Sequence, residues 1–165
     1  MEIRQLGAQD AEQYRVIRLE GLRVNPEAFG SSYEEEMLYT EDEYRVRLKS
    51  VSAFTYGAFN GDSLVGAVTL VPEGKRKMRH RANIYAMYVT PEMRGSGVGK
   101  SLIKAAIHKA AELKCIEQIY LTVVASNEPA KRLYSSLGFK VFGLDSRALR
   151  IGDTYYDEEL MVLFL

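Results

Sequence analysis

The sequence predicts a single α/β domain, built from a mixed β-sheet with helices on both faces. The length of 165 residues suits one domain with a core of its own. Two segments, Asn83–Val89 and Gln118–Val124, are apolar on both faces, as expected for central strands covered on each side. A helical pattern lies between them, and such a right-handed crossover makes the two strands parallel. We therefore expect one domain over residues 1–165 with the element order β-α-α-β-β-β-α-β-α-β-β.

Local signals divide the N-terminal half of the chain into five elements. Apolar residues at spacings of three and four predict a first helix, which Asn25-Pro26 ends because a residue before proline disfavours helix. Thr40 and Glu43 form a capping box, and Asn60-Gly61 is a hairpin signal. Ala28–Glu36 has no period and is expected to be a loop. The predicted elements are a strand at Met1–Leu6, helices at Asp10–Val24 and Thr40–Lys49, and strands at Ala53–Phe59 and Leu64–Val71.

The C-terminal half begins with the first central strand and a glycine-rich bend that opens a helix. This helix ends near Lys114, and its predicted buried stripe is Val98, Leu102, Ala106, Ala110 and Leu113. After the second central strand, Ser126 or Asn127 caps another helix, which Gly138 ends. The last two strands are predicted at Phe139–Leu144 and Tyr156–Leu165, with a turn around Gly152-Asp153.

Composition excludes several classes of function. Twenty-two basic and twenty-two acidic residues cancel, so nothing indicates a bulk affinity for nucleic acid or membranes. The apolar runs are shorter than the ~20 residues that span a bilayer, and the first residues lack the apolar core of a signal peptide. Cys115 is the single cysteine, and His80 and His108 are isolated, so we expect neither a disulfide nor a metal site. We expect a cytoplasmic protein without nucleic-acid or membrane partners.

The segment Met87–Lys100, MYVTPEMRGSGVGK, has the features of an anion site. Glycine lets main-chain N–H groups approach a ligand, and a helix N-terminus offers unpaired donors. The P-loop pattern G-x-x-x-x-G-K-[ST] fails because Arg94 stands at the first glycine position. The dinucleotide pattern G-x-G-x-x-G also fails, because Gly95, Gly97 and Gly99 are evenly spaced. The pattern that fits is R-x-x-G-x-G, directly after a strand.

This segment resembles the acetyl-CoA signature of the GNAT family of N-acetyltransferases. A second block, beginning at Asn127 and ending at Phe139, resembles the family's other recurring motif; it reads N-x-x-A-x-x-L-Y-x-x-x-G-F. The similarity is strongest over Ala82–Phe142. It implies an enzyme that transfers an acetyl group from acetyl-CoA to a primary amine by direct attack, without a covalent enzyme intermediate. A small amine, a polyamine and a peptide amine are all compatible acceptors.

The resemblance also implies which residues bind the co-substrate. Main-chain groups of Met87, Tyr88 and Val89 would pair with the pantetheine arm where the central strands splay apart, and one N–H there would face the thioester oxygen. The side-chain amide of Asn127 would contact the cofactor, cap its helix, or do both. The residues implied around the pyrophosphate are Arg94, Gly95, Ser96, Gly97, Val98, Gly99 and Lys100.

Tyr134 is the implied catalytic residue. The resemblance puts its hydroxyl beside the sulfur of CoA, and a phenol with a reference pKa near ~10 keeps its proton at neutral pH. The departing thiolate needs such a donor. The proton acceptor for the substrate amine is less evident, because relatives often hold a glutamate where this chain has Asn83 and Thr122.

The remaining candidates for the proton acceptor are carboxylates of the segment YEEE and an ordered water. The carboxylates are Glu34, Glu35 and Glu36, and the water, which we favour, would be held by Tyr85. The same segment, with Tyr33, is the predicted acceptor contact, because carboxylates attract a cationic amine. A solvated helix start is the alternative interpretation of these charges.

Two other functions stay open at this stage. A protein acetyltransferase that modifies an N-terminus or a lysine would use the same chemistry, and a non-catalytic acyl-CoA sensor would keep the fold without turnover. The basic loop Glu73–Arg81 would meet either the 3′-phosphate of CoA or an acidic peptide. The oligomeric state is open, and the apolar final strand Leu160–Leu165 offers an edge to a second subunit in a homodimer.

Overall fold

A computed structural model describes residues 1–165 and confirms the α/β class, with a seven-stranded mixed sheet and helices on both faces. In chain order the elements are β1 (Glu2–Gln5), α1 (Ala11–Val24), α2 (Tyr33–Glu36), α3 (Glu41–Leu48), β2 (Phe54–Asn60), β3 (Ser63–Pro72), β4 (Arg81–Val89), α4 (Val98–Glu112), β5 (Gln118–Val124), α5 (Glu128–Ser136), β6 (Lys140–Ile151) and β7 (Thr154–Phe164). No helix has the length and apolar character needed to cross a bilayer.

The structure adds one short helix, α2, where the sequence predicted a loop. Ser32 caps it: the Ser32 hydroxyl accepts a hydrogen bond from the N–H of Glu35 at 3.2 Å, and the Glu35 carboxylate accepts from the N–H of Ser32 at 2.9 Å. This is the same capping box that Thr40 and Glu43 form at the start of α3. Four residues are too few to show a helical period, so only the capping signal was available.

The central strands β4 and β5 form the only parallel pair of the sheet, whose strand order is β1-β2-β3-β4-β5-β7-β6. Their ladder is short and contains only the pairs Arg81–Gln118, Ala82–Ile119 and Asn83–Tyr120. Beyond these pairs the two strands no longer bond to each other. We call the space between Ile84–Val89 and Leu121–Val124 the β4–β5 gap; it is the splay that the family resemblance implied.

A β-bulge in β4 accompanies the gap. The register between β3 and β4 shifts between the pairs Ala67–Tyr88 and Thr69–Tyr85, and Ala86 between them has φ +53°. Positive φ is unfavourable for a residue with a Cβ, and a bulge bends and twists the strand that carries it. The bulge therefore turns the second half of β4 out of line with β5.

Two hydrophobic cores hold the sheet, one on each face. On one face α4 buries the predicted stripe of Val98, Leu102, Ala106 and Ala110 against β2, β3, β4 and β5, and Leu113 packs at its margin. On the other face α1 and α3 pack on β2 and β3 around Tyr14, Ile17 and Tyr44. Successive residues of β4 alternate between the cores, since Tyr88 belongs to the second and Val89 to the first.

The final strand does not form the edge of the sheet. β7 pairs with β5 along one side and with β6 along the other, so β6 is the edge strand at this end of the sheet and β1 is the edge strand at the other end. The expectation that Leu160–Leu165 joins a second subunit edge to edge is therefore wrong. The physical reason is that the chain returns through the β6–β7 hairpin and inserts β7 between β5 and β6, a long-range pairing that no local pattern encodes.

Candidate functional site

The glycine bend, residues 95–97, leads into a helix start with free main-chain donors. Gly95 and Gly97 have φ of +75° and +86°, and a Cβ added to either would meet nothing within 4 Å. α4 has no side-chain cap, and its first main-chain bond runs from the N–H of Ser101 to the carbonyl of Gly97 at 3.1 Å. The N–H groups of residues 98–100 therefore lack intrahelical acceptors and face open space at the positive end of the helix dipole. Such an arrangement can hold an anion.

Side chains around the bend fix its position. Arg94 donates from Nε to the carbonyl of Val89 at 3.0 Å and from its guanidinium to Oδ1 of Asn25 at 2.7 Å. Ser96 donates its hydroxyl to the carbonyl of Met93 at 2.6 Å. Arg94 thus links the bend to the end of β4 and to the end of α1. These two contacts occupy two of the three guanidinium nitrogens of Arg94.

Main-chain groups of β4 line the β4–β5 gap. The N–H of Thr90 donates to Val65 of β3 at 2.9 Å, so by the alternation of a strand Val89 and Met87 point their N–H groups to the gap. Tyr88 lies opposite Ala67 of β3, and its hydroxyl donates to Glu20 of α1 at 2.8 Å. The side chains of Met87, Tyr88 and Val89 therefore pack in the protein, and only the main chain of these residues is available to contact a ligand.

Tyr134 lies against the gap on the face that carries α4 and α5. It shares a core cluster with Val89 and Val123, and its ring packs against Phe139 with centroids 6.0 Å apart. Burial raises the pKa of Tyr134 to about 12, so the phenol is a proton donor at neutral pH. Asn127 caps the same helix by accepting from the N–H of Ala130 at 3.2 Å, and its amide nitrogen stays available.

The carboxylates of α2 have separate environments. Glu34 is exposed, whereas Glu35 is held by its capping box, in which the Ser32 N–H and hydroxyl lower the pKa of Glu35. Burial opposes ionisation of Glu36, but hydrogen bonds and charges from Arg18, and further contacts with Tyr44 and Arg47, lower the pKa of Glu36 to about 2. Such a carboxylate is a weak proton acceptor. Tyr33 lies half-buried at the start of the same helix.

A cleft of about 170 Å³ opens where β4 and β5 separate, on the face opposite Tyr134. Its lining residues are Asn83, Ile84, Tyr85, Tyr120, Leu121, Thr122, Phe142 and Leu160. Tyr85 is 56% exposed at its mouth. A larger cavity of about 320 Å³ between α1 and the start of β3 contains no residue of β5. Of these two cavities the smaller cleft adjoins the gap, so we assign the acceptor side of the site to it.

The structure supplies two carboxylates that the sequence interpretation missed. Asn83 donates its amide to Glu73 at 2.8 Å. Glu158 on β7 is a diagonal neighbour of Thr122 on the same face of the sheet, and the Thr122 hydroxyl favours the ionised form of its carboxyl. Each neutral residue that stands where relatives often have a glutamate therefore lies beside an acid from a neighbouring element. Both placements depend on strand pairing across the sheet, so no motif signalled them.

Comparison with known proteins agrees with this geometry. The family model of the acetyltransferase (GNAT) family matches residues 21–139. Human N-alpha-acetyltransferase 30 is 30% identical over 96 residues, which are 58% of this chain and 26% of that protein. The spermine/spermidine N(1)-acetyltransferase of Bacillus subtilis is 31% identical over 96 residues, 58% of this chain and 61% of that protein. The chain thus matches less than two thirds of the length of these curated relatives.

Solved structures share the fold. An acetyltransferase of the GNAT family from Streptococcus pneumoniae has a TM-score of 0.88 at 22% identity, covering 99% of this chain and 98% of that one. A putative acetyltransferase from Salmonella typhimurium, solved with its cofactor acetyl-CoA, has a TM-score of 0.86 at 18% identity, covering 100% and 94%. At these identities the likeness establishes the architecture alone.

The buried cluster around Glu36 gives a prediction for stability. Glu36→Gln should lower the free energy of unfolding by about 3 kcal/mol at pH 7, because Arg18 loses its buried counter-charge. The folded pKa of Glu36 is depressed, so its contribution is complete above the ordinary value of 4.5 and is lost as the pH falls towards 2. Urea unfolding should therefore show a smaller difference in unfolding free energy between variant and wild type at pH 3 than at pH 7.

The matched control is Glu34→Gln, an exposed carboxylate on the same helix without an ion pair. It should change stability by less than about 0.5 kcal/mol at either pH. Equal losses in the two variants would contradict the assignment of Glu36 to the buried cluster.

Proposed function

This chain belongs to the acetyltransferase (GNAT) family, and on that premise we propose that it transfers an acetyl group from acetyl-CoA to a primary amine by direct attack. The observation that carries the proposal is the β4–β5 gap, with an anion site at the end of β4 and a cleft on the opposite face from Tyr134. A co-substrate that enters at one side and an amine that enters at the other would meet between the strands.

The residues fit the three chemical parts of acetyl-CoA. The free N–H groups at the start of α4 suit the pyrophosphate, and the bare glycines leave room for it. The main chain of Met87 and Val89 suits the amides of the pantetheine arm, which need strand-like partners. The amide nitrogen of Asn127 and the ammonium of Lys100, which is exposed beside the bend, are further polar contacts for the cofactor.

Two groups of this chain would lower the barrier of acetyl transfer. A main-chain N–H at Met87 or Val89, pointing into the gap, would stabilise charge on the thioester oxygen, an interaction worth ~10²–10³ in rate in other enzymes. The Tyr134 hydroxyl would give a proton to the departing thiolate, since its raised pKa keeps it protonated. No covalent bond to the protein is needed.

The acceptor is best described as a primary amine. Matched relatives carry the names of N-alpha-acetyltransferases and of spermine acetyltransferases, which act on amines of different size. A peptide N-terminus is the second candidate, favoured by the match to human N-alpha-acetyltransferase 30. The cleft adjoins the edge hairpin of β6 and β7 through Phe142 and Leu160, so a longer chain has room to extend along that edge.

The first prediction concerns the phenol. Tyr134→Phe should lower kcat about 10²-fold, because the thiolate loses its proton donor, and should leave the Kd for CoA within about twofold. Thiol release from acetyl-CoA in the presence of amines measures kcat, and calorimetry measures the Kd for CoA. Tyr56→Phe, a half-buried tyrosine of β2 far from the gap, is the control and should retain wild-type turnover. A protein that binds CoA but releases no thiol with any amine would be an acyl-CoA sensor instead.

The second prediction concerns the anion site. Gly97→Ala should weaken CoA binding at least tenfold, because a Cβ at φ +86° strains the bend and projects into the open space assigned to phosphate. Gly61→Ala is a matched control, since Gly61 has φ +60° in the β2–β3 turn and also has open space around it. Both variants should lose about 1 kcal/mol of stability, and Gly97→Ala alone should change the Kd. Equal Kd values would contradict the assigned site.

A further inference from the structure

Glu158 lies on β7 at the margin of the acceptor cleft. In the β5–β7 ladder Thr122 is opposite Leu160 and Glu158 is opposite Val124, so Glu158 precedes Leu160 by two positions on the same face of the strand. Thr122 and Leu160 both line the cleft, and the Thr122 hydroxyl favours the ionised form of the Glu158 carboxyl. The half-buried carboxylate therefore lies on the cleft's face of the sheet, beside two lining residues and one strand away from the β4–β5 gap.

Glu158 has no partner of opposite charge, unlike its neighbour Glu159. Asp157 accepts from the N–H of Arg147 at 2.8 Å, and Glu159 pairs with Lys131 at 2.9 Å, whereas Glu158 forms no ion pair. The guanidinium of Arg147 lies over the ring of Tyr155, 5.0 Å from its centroid. Tyr155 and Glu158 are on opposite faces of β7, so this guanidinium does not neutralise Glu158.

A second acid faces Glu158 from the edge strand. Asp145 of β6 is directly opposite Glu158 in the β6–β7 ladder, and it forms no ion pair either. Burial raises the pKa of the Glu158 carboxyl, the Thr122 hydroxyl opposes this, and the Asp145 charge adds to it. Like charges at directly opposite positions cost free energy, which a bound cation would offset.

We propose that Glu158 binds the ammonium group of the acceptor in this cleft and takes its proton before attack, with Thr122 orienting the carboxylate. The inference rests on the proposed acetyltransferase function and names the proton acceptor for it. One proton passes from the ammonium nitrogen to Glu158 and then to solvent. The freed lone pair forms the C–N bond as the C–S bond breaks, and the second proton of that nitrogen replaces the one that Tyr134 gives to the thiolate sulfur.

Geometry favours Glu158 over the other acids near the site. Glu73 contacts Asn83, where β4 and β5 are still paired, so it lies at the closed end of the gap. Glu36 is engaged with Arg18 in a buried cluster. Glu158 lies on the cleft's face of the sheet at the level where the strands have separated, next to the lining residues Thr122 and Leu160, and it forms no ion pair.

The test compares Glu158→Gln with Glu73→Gln in acetyl transfer to spermidine and to a short peptide with a free N-terminus. Glu158→Gln should lower kcat/KM for the amine about 10²-fold at pH 7, because the amine loses its ammonium contact and its proton acceptor. The Kd for CoA should be unchanged, because Glu158 lies on the acceptor side. The deficit should shrink towards pH 10, where the amine is deprotonated in solution. Glu73→Gln should stay within about threefold of wild type.

Asp145→Asn gives an independent readout of positioning. Because the Asp145 charge raises the Glu158 pKa, its removal should move the acid limb of the kcat/KM profile to lower pH. If Glu158 had a purely structural role, Glu158→Gln would lower kcat/KM equally at every pH, and Asp145→Asn would not shift the acid limb of the profile.

Three outcomes would overturn the proposal. If the wild type turns over an amine and Glu158→Gln keeps its kcat/KM, or shows a deficit that does not change with pH, Glu158 is not the proton acceptor. If Glu73→Gln loses activity in its place, the role belongs to Glu73. If the wild type binds CoA and acetylates no amine in the panel, the acetyltransferase function itself fails, and the role of Glu158 fails with it.

Discussion

The separation of β4 from β5 is the constraint on which the whole site depends. Two adjacent parallel strands would normally continue their ladder, but here it ends at Asn83–Tyr120. The bulge at Ala86 bends β4, and the side chains of Met87 and Leu133 meet beside Gly99, which leaves no room for a larger residue where α4, α5 and β4 converge. An unpaired strand edge inside a sheet forfeits about 1 kcal/mol for each hydrogen bond it lacks. A ligand with amides of its own would restore those bonds, so the unpaired edges of β4 and β5 suit an extended, strand-like ligand.

Polar groups are distributed unequally around this gap. The helix start and the exposed Lys100 make its cofactor side positive, whereas Glu158 and Asp145 make the acceptor side negative. On the proposed function, an anionic co-substrate and a cationic amine would be attracted to different sides. Tyr134 on the far face is neutral at pH 7, because burial raises its pKa to about 12. The net charge of the chain is zero, so this polarity comes from position and not from composition.

Features that depend on neighbouring residues could be predicted from the sequence. The stripe of α4 from Val98 to Ala110, the glycine bend and the turn at Gly152 follow from spacing and backbone requirements, and all are present. The helix α2 was not predicted although Ser32 and Glu35 form a local capping signal, because a helix of four residues shows no helical period. The β2–β3 turn is centred one residue later than predicted, at Gly61-Asp62, since Asn60 still pairs with Ser63.

Features that depend on long-range pairing could not be predicted. The insertion of β7 between β5 and β6 joins residues separated along the chain, and it alone brings Glu158 to Thr122. The sequence directed attention to Glu34, Glu35 and Glu36 because they are adjacent, whereas the fold separates them into an exposed acid, a capping residue and a buried ion pair. Chemistry that arises from non-adjacent strands requires the register of the sheet.

Amide-resolved hydrogen exchange with and without CoA tests most directly whether the gap is a binding groove. The main-chain N–H of Val89 and those at the start of α4 should exchange at least tenfold more slowly in saturating CoA, because each would gain an acceptor. The N–H of Tyr88, which lies in the ladder with β3, should be unaffected by such contacts. Unchanged exchange at Val89 and at residues 98–100, in protein shown by calorimetry to bind CoA, would contradict this account.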